Sequence, residues 1–119
     1  MTNEKVYAMP LSAVYDALRC KLLRKGRTEA ELSAAIEWLT GWTADQTRDL
    51  IARGASYGDF FRTAPAMNPR RNLVTGAVCG IRVEQIEEPL MRDIRILDKL
   101  VDELAKGKPL EKVLRSEKP

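Results

Sequence analysis

An all-α bundle is the fold this chain predicts, and three features carry the prediction. Apolar residues recur at helical spacing, capping residues precede those stripes while glycines follow them, and one long stripe near the C-terminal end is broad enough for shorter helices to pack on. The expected architecture is a compact bundle of five or six mostly short helices packed on one long C-terminal helix at about 88–106. A chain of 119 residues suits one helical domain, 1–119, with frayed ends at about 1–5 and 116–119. Hydrophobic residues make up 45% and charged residues 31%, with no low-complexity tract, a balance that separates it from disordered chains.

The first stripe begins near Leu11, after Pro10, and carries Leu11, Val14, Tyr15, Leu18 and Leu22 on one face before Gly26 stops it. Thr28 and Glu31 then form a capping box: the hydroxyl accepts from the third helical amide while the carboxylate reaches back. Leu32, Ala35, Ile36 and Leu39 follow at the 3.6-residue period, and Gly41 ends that helix. Thr43 and Gln46 repeat the box for a short helix that stops at Gly54. "SYGDFF" gathers Tyr57, Phe60 and Phe61 as an aromatic plug before Ala64 and Pro65 break the run.

Asn68 before Pro69 marks another start, because Asn accepts from free amides and Pro loses nothing at the first helical position. The stretch that follows, to about residue 83, reads as a helix; Gly76, the β-branched valines and Ile81 make a short strand the alternative. The long helix runs from Glu87 or Glu88 to Lys106, with Pro89 in its first turn and Gly107 as its stop. Leu90, Ile94, Leu97, Val101 and Leu104 form one stripe, Ile96 and Leu100 a second. Such a helix is either central to the bundle, the preferred reading, or offers one stripe to a second copy; monomer and homodimer both fit. A short tail helix is expected at 109–114, and Trp38, Trp42, Phe60 and Phe61 are the bulky core or near-core residues. "DLIARGASYGDFF" also echoes "DELAKGKPLEKVL", either an old duplication or the shared grammar of helix stops.

Function is constrained mainly by exclusion. Twenty Lys and Arg against seventeen Asp and Glu leave +3, with the signs interspersed, so nucleic-acid binding is permitted and not indicated. Uncharged stretches reach only ten residues, too short to cross a bilayer, and the N-terminal residues lack a secretory pattern; the expected compartment is the cytoplasm. Cys20 and Cys79 read as small core residues, far apart and without CxxC spacing. The absence of histidine removes the commonest general base and metal ligand, and neither metal-ligand spacing nor a phosphate loop occurs. No cofactor and no metal are expected, and the balance weighs against an enzyme.

Glu84, Glu87, Glu88 and Asp93 are the one dense carboxylate group. An acid/base or ion site is conceivable there, but acids leading a helix are favoured by its dipole and Glu88 is placed to pair with Arg92 at i, i+4. A DNA-reading helix-turn-helix is poorly served, because Asp45 and Asp49 flank one candidate and the glutamates fill the other. Arg70 and Arg71 stand out. At the second and third helical positions the dipole disfavours cations, so either acids such as Asp59 or the Glu84–Glu88 group compensate them, or the free amides and guanidiniums await an anion.

The blocks "KVYAMPLSAVY", "KGRTEAELSAAIEWLTG", "DFFRTAPAMNP" and "GIRVEQIEEPLMRDIRILDKLVDELAKGKPLEKVL" resemble the bacterial domain of unknown function 2200 family, over roughly Lys5 to Arg115, most densely from Gly80. The resemblance implies a bacterial, single-domain cytoplasmic protein and carries over no reaction, cofactor or catalytic residue. The function expected is therefore a non-enzymatic binding or adaptor module that engages an anionic ligand or acidic protein partner through Asn68, Arg70 and Arg71. A nucleic-acid-binding regulator is the alternative, and an enzyme using Glu84, Glu87 and Glu88 ranks below it.

Overall fold

Side-chain caps set the starts of three of the seven α-helices among the described residues, 3–78 and 80–115, of the computed structural model. Helix α1 (Asn3–Tyr7) precedes the first expected stripe. It is ordered within the stretch expected to fray because Val6 and Tyr7 are buried and the Asn3 amide and Tyr7 hydroxyl both donate to Glu88. The expected fraying at 1–2 and 116–119 lies outside the described residues. Helix α2 (Leu11–Arg24) follows Pro10. Helix α3 (Glu29–Thr40) carries the complete Thr28–Glu31 box, and α4 (Ala44–Ala52) the complete Thr43–Gln46 box. Helix α5 (Tyr57–Arg62) is capped by the Ser56 hydroxyl, which accepts from the Asp59 amide at 3.1 Å.

Three of the helix stops follow one pattern. After α2 the Gly26 amide donates to Leu23 and the Arg27 amide to Leu22; after α4 Gly54 and Ala55 do the same to Ile51 and Leu50. Each glycine takes a positive φ, the left-handed turn that lets two last-turn carbonyls be satisfied. The same pair of bonds closes the long helix, from Gly107 to Leu104 and from Lys108 to Glu103. The end of α2 shares these bonds without sharing the sequence echo between 49–61 and 102–114, so the stop itself is a general device of the chain.

The stretch after Pro69 departs from the helix expected to about 83. A single 3-10 turn, Pro69–Leu73, is followed by two two-residue strands, β1 (Ala77–Val78) and β2 (Ile81–Arg82), paired antiparallel with Ala77 opposite Arg82 and Val78 opposite Ile81. Gly76 and Gly80 both sit at positive φ, which a helix cannot contain. Tertiary packing adds to this: Val74, Val78 and Val83 are all buried, and β1 and a second 3-10 turn, Val83–Gln85, lie against the long helix.

That helix, α6 (Pro89–Ala105), is the centre of the bundle, touching α2, α3 and α5, the hairpin strand β1 and the terminal α7 (Leu110–Val113). Ile94, Leu97, Val101 and Leu104 of one stripe and Ile96 and Leu100 of the other are all buried within the chain. The aromatic plug forms as expected: Phe60 meets Phe61 edge-on at 5.1 Å and Tyr57 meets Phe61 at 5.3 Å. Trp38 and Trp42 pack at the margin of this core, and the Trp42 indole donates to the Phe60 carbonyl at 2.9 Å. Cys20 is half-buried and unpaired, while the expectation for Cys79 falls outside the described residues. Among the described residues, no helix is long and apolar enough to cross a membrane.

Candidate anion-binding cleft

Asn68 begins the Pro69 turn as expected, its side-chain oxygen accepting from the Arg70 amide at 2.8 Å. Its own amide group donates to the Trp38 carbonyl at 3.1 Å, and its backbone N–H to Leu39, so the turn is tied to the end of α3. The amides expected to be free are engaged, since that of Arg71 donates to the Asn68 carbonyl. A five-residue 3-10 turn also aligns few peptide dipoles, so little positive charge gathers at its start.

The two guanidiniums diverge. Arg70 donates to the Arg115 carbonyl at 2.6 Å, which ties the Pro69 turn to the turn after α7. Arg71 pairs through Nε with Asp93 on α6 at 2.9 Å and donates through Nη1 to the Asn68 carbonyl at 2.8 Å. The acid beside Arg71 is thus Asp93, where Asp59 or the Glu84–Glu88 group was expected.

Arg71 also lines a cleft of about 200 Å³ between the Pro69 turn, the Val83 turn and α6, together with Asn72, Val74, Val83, Glu84, Arg92 and Ile96. Arg92 enters from the first turns of α6, donating to the Ile86 carbonyl at 3.1 Å and more weakly to that of Glu84 at 3.3 Å. The expected Glu88–Arg92 pair is therefore not made, because Glu88 is taken by Tyr7 and Asn3. These two hydrogen bonds, Tyr7 first, hold the Glu88 carboxyl below its ordinary pKa.

Glu84 forms the cleft's acidic wall. The Gly76 amide donates to one of its oxygens at 2.9 Å, and Arg82 pairs with the other at 2.8 Å. The Gly76 amide and Glu84's own backbone amide, then Arg82, bring its pKa down to about 2, so it is ionised at neutral pH. The lining carries Arg71 and Arg92 against Glu84, and because Asp93 pairs with Arg71 while Arg82 pairs with Glu84, the cleft keeps a positive excess. A guanidinium has five N–H donors. The contacts above use two on Arg71 and two on Arg92, leaving donors on both for a carboxylate or phosphate.

The carboxylate group is dispersed. Glu84 serves the hairpin, Glu88 serves α1, Asp93 serves Arg71 and Glu87 is exposed. Among the described residues, no three His, Cys, Asp or Glu side chains are grouped so as to hold a metal ion. Arg92 is the cleft residue that the sequence reading assigned elsewhere. A signal for it existed: like Arg70 and Arg71, it is a cation close to a helix start, where the dipole disfavours it.

The family described as "Uncharacterized protein conserved in bacteria (DUF2200)" matches residues 5–115. Among solved structures, the crystal structure of uncharacterized protein SP1917 is similar, at 45% identity and a TM-score of 0.91, covering 97% of this chain and 94% of that one. No curated protein matches the chain in sequence.

Proposed function

The chain belongs to the DUF2200 family of bacterial proteins, and from the geometry of its cleft we propose that it is a small binding module in which the space between the Pro69 turn and α6 holds the anionic group of a ligand or an acidic partner. The observation that carries this reading is the convergence of Arg71 and Arg92 on one cleft from distant parts of the chain. Of the three residues the sequence singles out, Arg71 is the one that meets the anion. Asn68 orients it through its carbonyl, and Arg70 steadies the C-terminal turn. Glu84 limits the site to groups small enough to reach the guanidiniums without meeting its carboxylate, which suits a single carboxylate or phosphate better than a polyanionic backbone.

Titration of ¹⁵N-labelled protein with inorganic phosphate and with acetate tests this. Saturable shifts are expected at the amides of Arg71, Asn72 and Glu84, and Arg92→Ala should weaken binding by about tenfold or more, the loss of a charge-assisted hydrogen bond. Absent shifts, or an unchanged affinity in a folded Arg92→Ala variant, would sink the reading.

A further inference from the structure

A second cleft, where α1, α2, α5 and α6 meet, has a different chemistry. It measures about 280 Å³ and is walled by Val6 of α1, Val14 of α2 and Ile94 of α6, with Tyr57, Arg95 and Asp98 supplying the polar groups. Tyr57 is only 3% exposed, its ring fixed against Phe60 and Phe61, yet its hydroxyl meets no hydrogen-bond partner among the described residues. The Arg95 Nε–H is likewise buried and unpartnered, while the same guanidinium donates to Asp98 at 3.1 Å. Buried polar groups are nearly always hydrogen-bonded, so two unmet donors at one aliphatic cleft call for an acceptor. Because Asp98 already balances the charge of Arg95, that acceptor need carry no charge.

We propose that this cleft binds a small amphipathic molecule with an aliphatic or alicyclic body and a neutral hydrogen-bond-accepting head, such as a ketone, ester or amide carbonyl, which accepts from the Tyr57 hydroxyl and Arg95 Nε–H. Burial, followed by the charge of Asp98, raises the Tyr57 pKa well above the ordinary tyrosine value, so the hydroxyl keeps the proton it must donate. The size of the cleft suits a fragment-sized ligand.

Cyclohexanone is a suitable probe, titrated into the full chain with ¹³C-labelled methyl groups. Saturable shifts are expected at the Val6, Val14 and Ile94 methyls. Tyr57→Phe should weaken binding by roughly 3- to 10-fold, the contribution of one neutral hydrogen bond, without lowering the melting temperature. No saturable shift in the wild type, or equal affinity in Tyr57→Phe, would overturn the proposal. Val14→Phe provides a second check independent of Tyr57: it fills the cleft from α2, so cyclohexanone shifts that persist in that variant place binding elsewhere and overturn the proposal too.

Discussion

Glu103 is 4% exposed on the inner side of α6, and both of its carboxylate oxygens are taken by Arg115, at 2.5 and 3.1 Å. Lys99 and Lys108 stand about 4 Å away, at 4.0 and 3.9 Å, so three cations surround one buried acid. Removing a carboxylate of this kind leaves a half-buried guanidinium without its partner, whereas removing the guanidinium leaves lysines to cover the acid. Glu103→Gln should therefore cost about 3 kcal/mol in urea unfolding, Arg115→Ala clearly less, and the double variant less than the two summed. Equal and additive single losses would show that the pair is not coupled. In the sequence, "DELAKG" reads as an ordinary charged helix end. Its buried role arises because the turn after α7 carries Arg115 back over α6, which local spacing cannot reveal.

Where α1 crosses α5, the elements approach so closely that only glycine fits. A Cβ at Gly58 would lie 2.8 Å from the Tyr7 Cβ and 3.1 Å from the Tyr7 carbonyl oxygen, neither of them the far end of a flexible side chain. Alanine normally stabilises a helix over glycine by about 1 kcal/mol, so Gly58→Ala sets propensity against sterics. Sterics should win, with a net loss of about 1–2 kcal/mol and faster hydrogen exchange confined to the α1 amides. A stabilised variant with unchanged exchange would mean that α1 shifts freely. Element ends were the most legible part of the fold. The Thr28 and Thr43 boxes and the stops at Gly26, Gly54 and Gly107 are local chemistry, complete within six residues. The hairpin at 77–82 was legible only as the short-strand alternative to a helix, because two-residue strands have no periodicity to read and their place is set by burying Val74, Val78 and Val83 against α6. Nothing local in "SYGDFF" marks Gly58 either, because the contact that requires it is with Tyr7 of another helix.

At the scale of the molecule, α6 joins what the chain order separates. The candidate anion cleft needs Arg71 from the Pro69 turn and Arg92 from α6, and the second cleft draws on α1, α2, α5 and α6. Each arginine could be flagged in the sequence as a misplaced cation; that two of them share a wall depends on the fold. The same centrality bears on cooperativity. The Cα radius of gyration, 13.3 Å, is close to the roughly 13.5 Å expected of one compact domain of this length. Both stripes of α6 belong to a single buried cluster that reaches from Val6 to Val113, so neither the N-terminal helices nor the hairpin and α7 retain a core without it. Unfolding should then be one transition, with an enthalpy of about 80 kcal/mol near 60 °C and equal calorimetric and van't Hoff values. Tryptophan fluorescence, reporting on Trp38 and Trp42 at the end of α3, should coincide with far-ultraviolet circular dichroism. Leu100→Ala, which truncates a fully buried α6 side chain, should lower both by the same amount, about 3–5 kcal/mol. If fluorescence held its midpoint while circular dichroism fell, α3 and its neighbours would be a separate folding unit, and α6 would be a covering helix instead of the core.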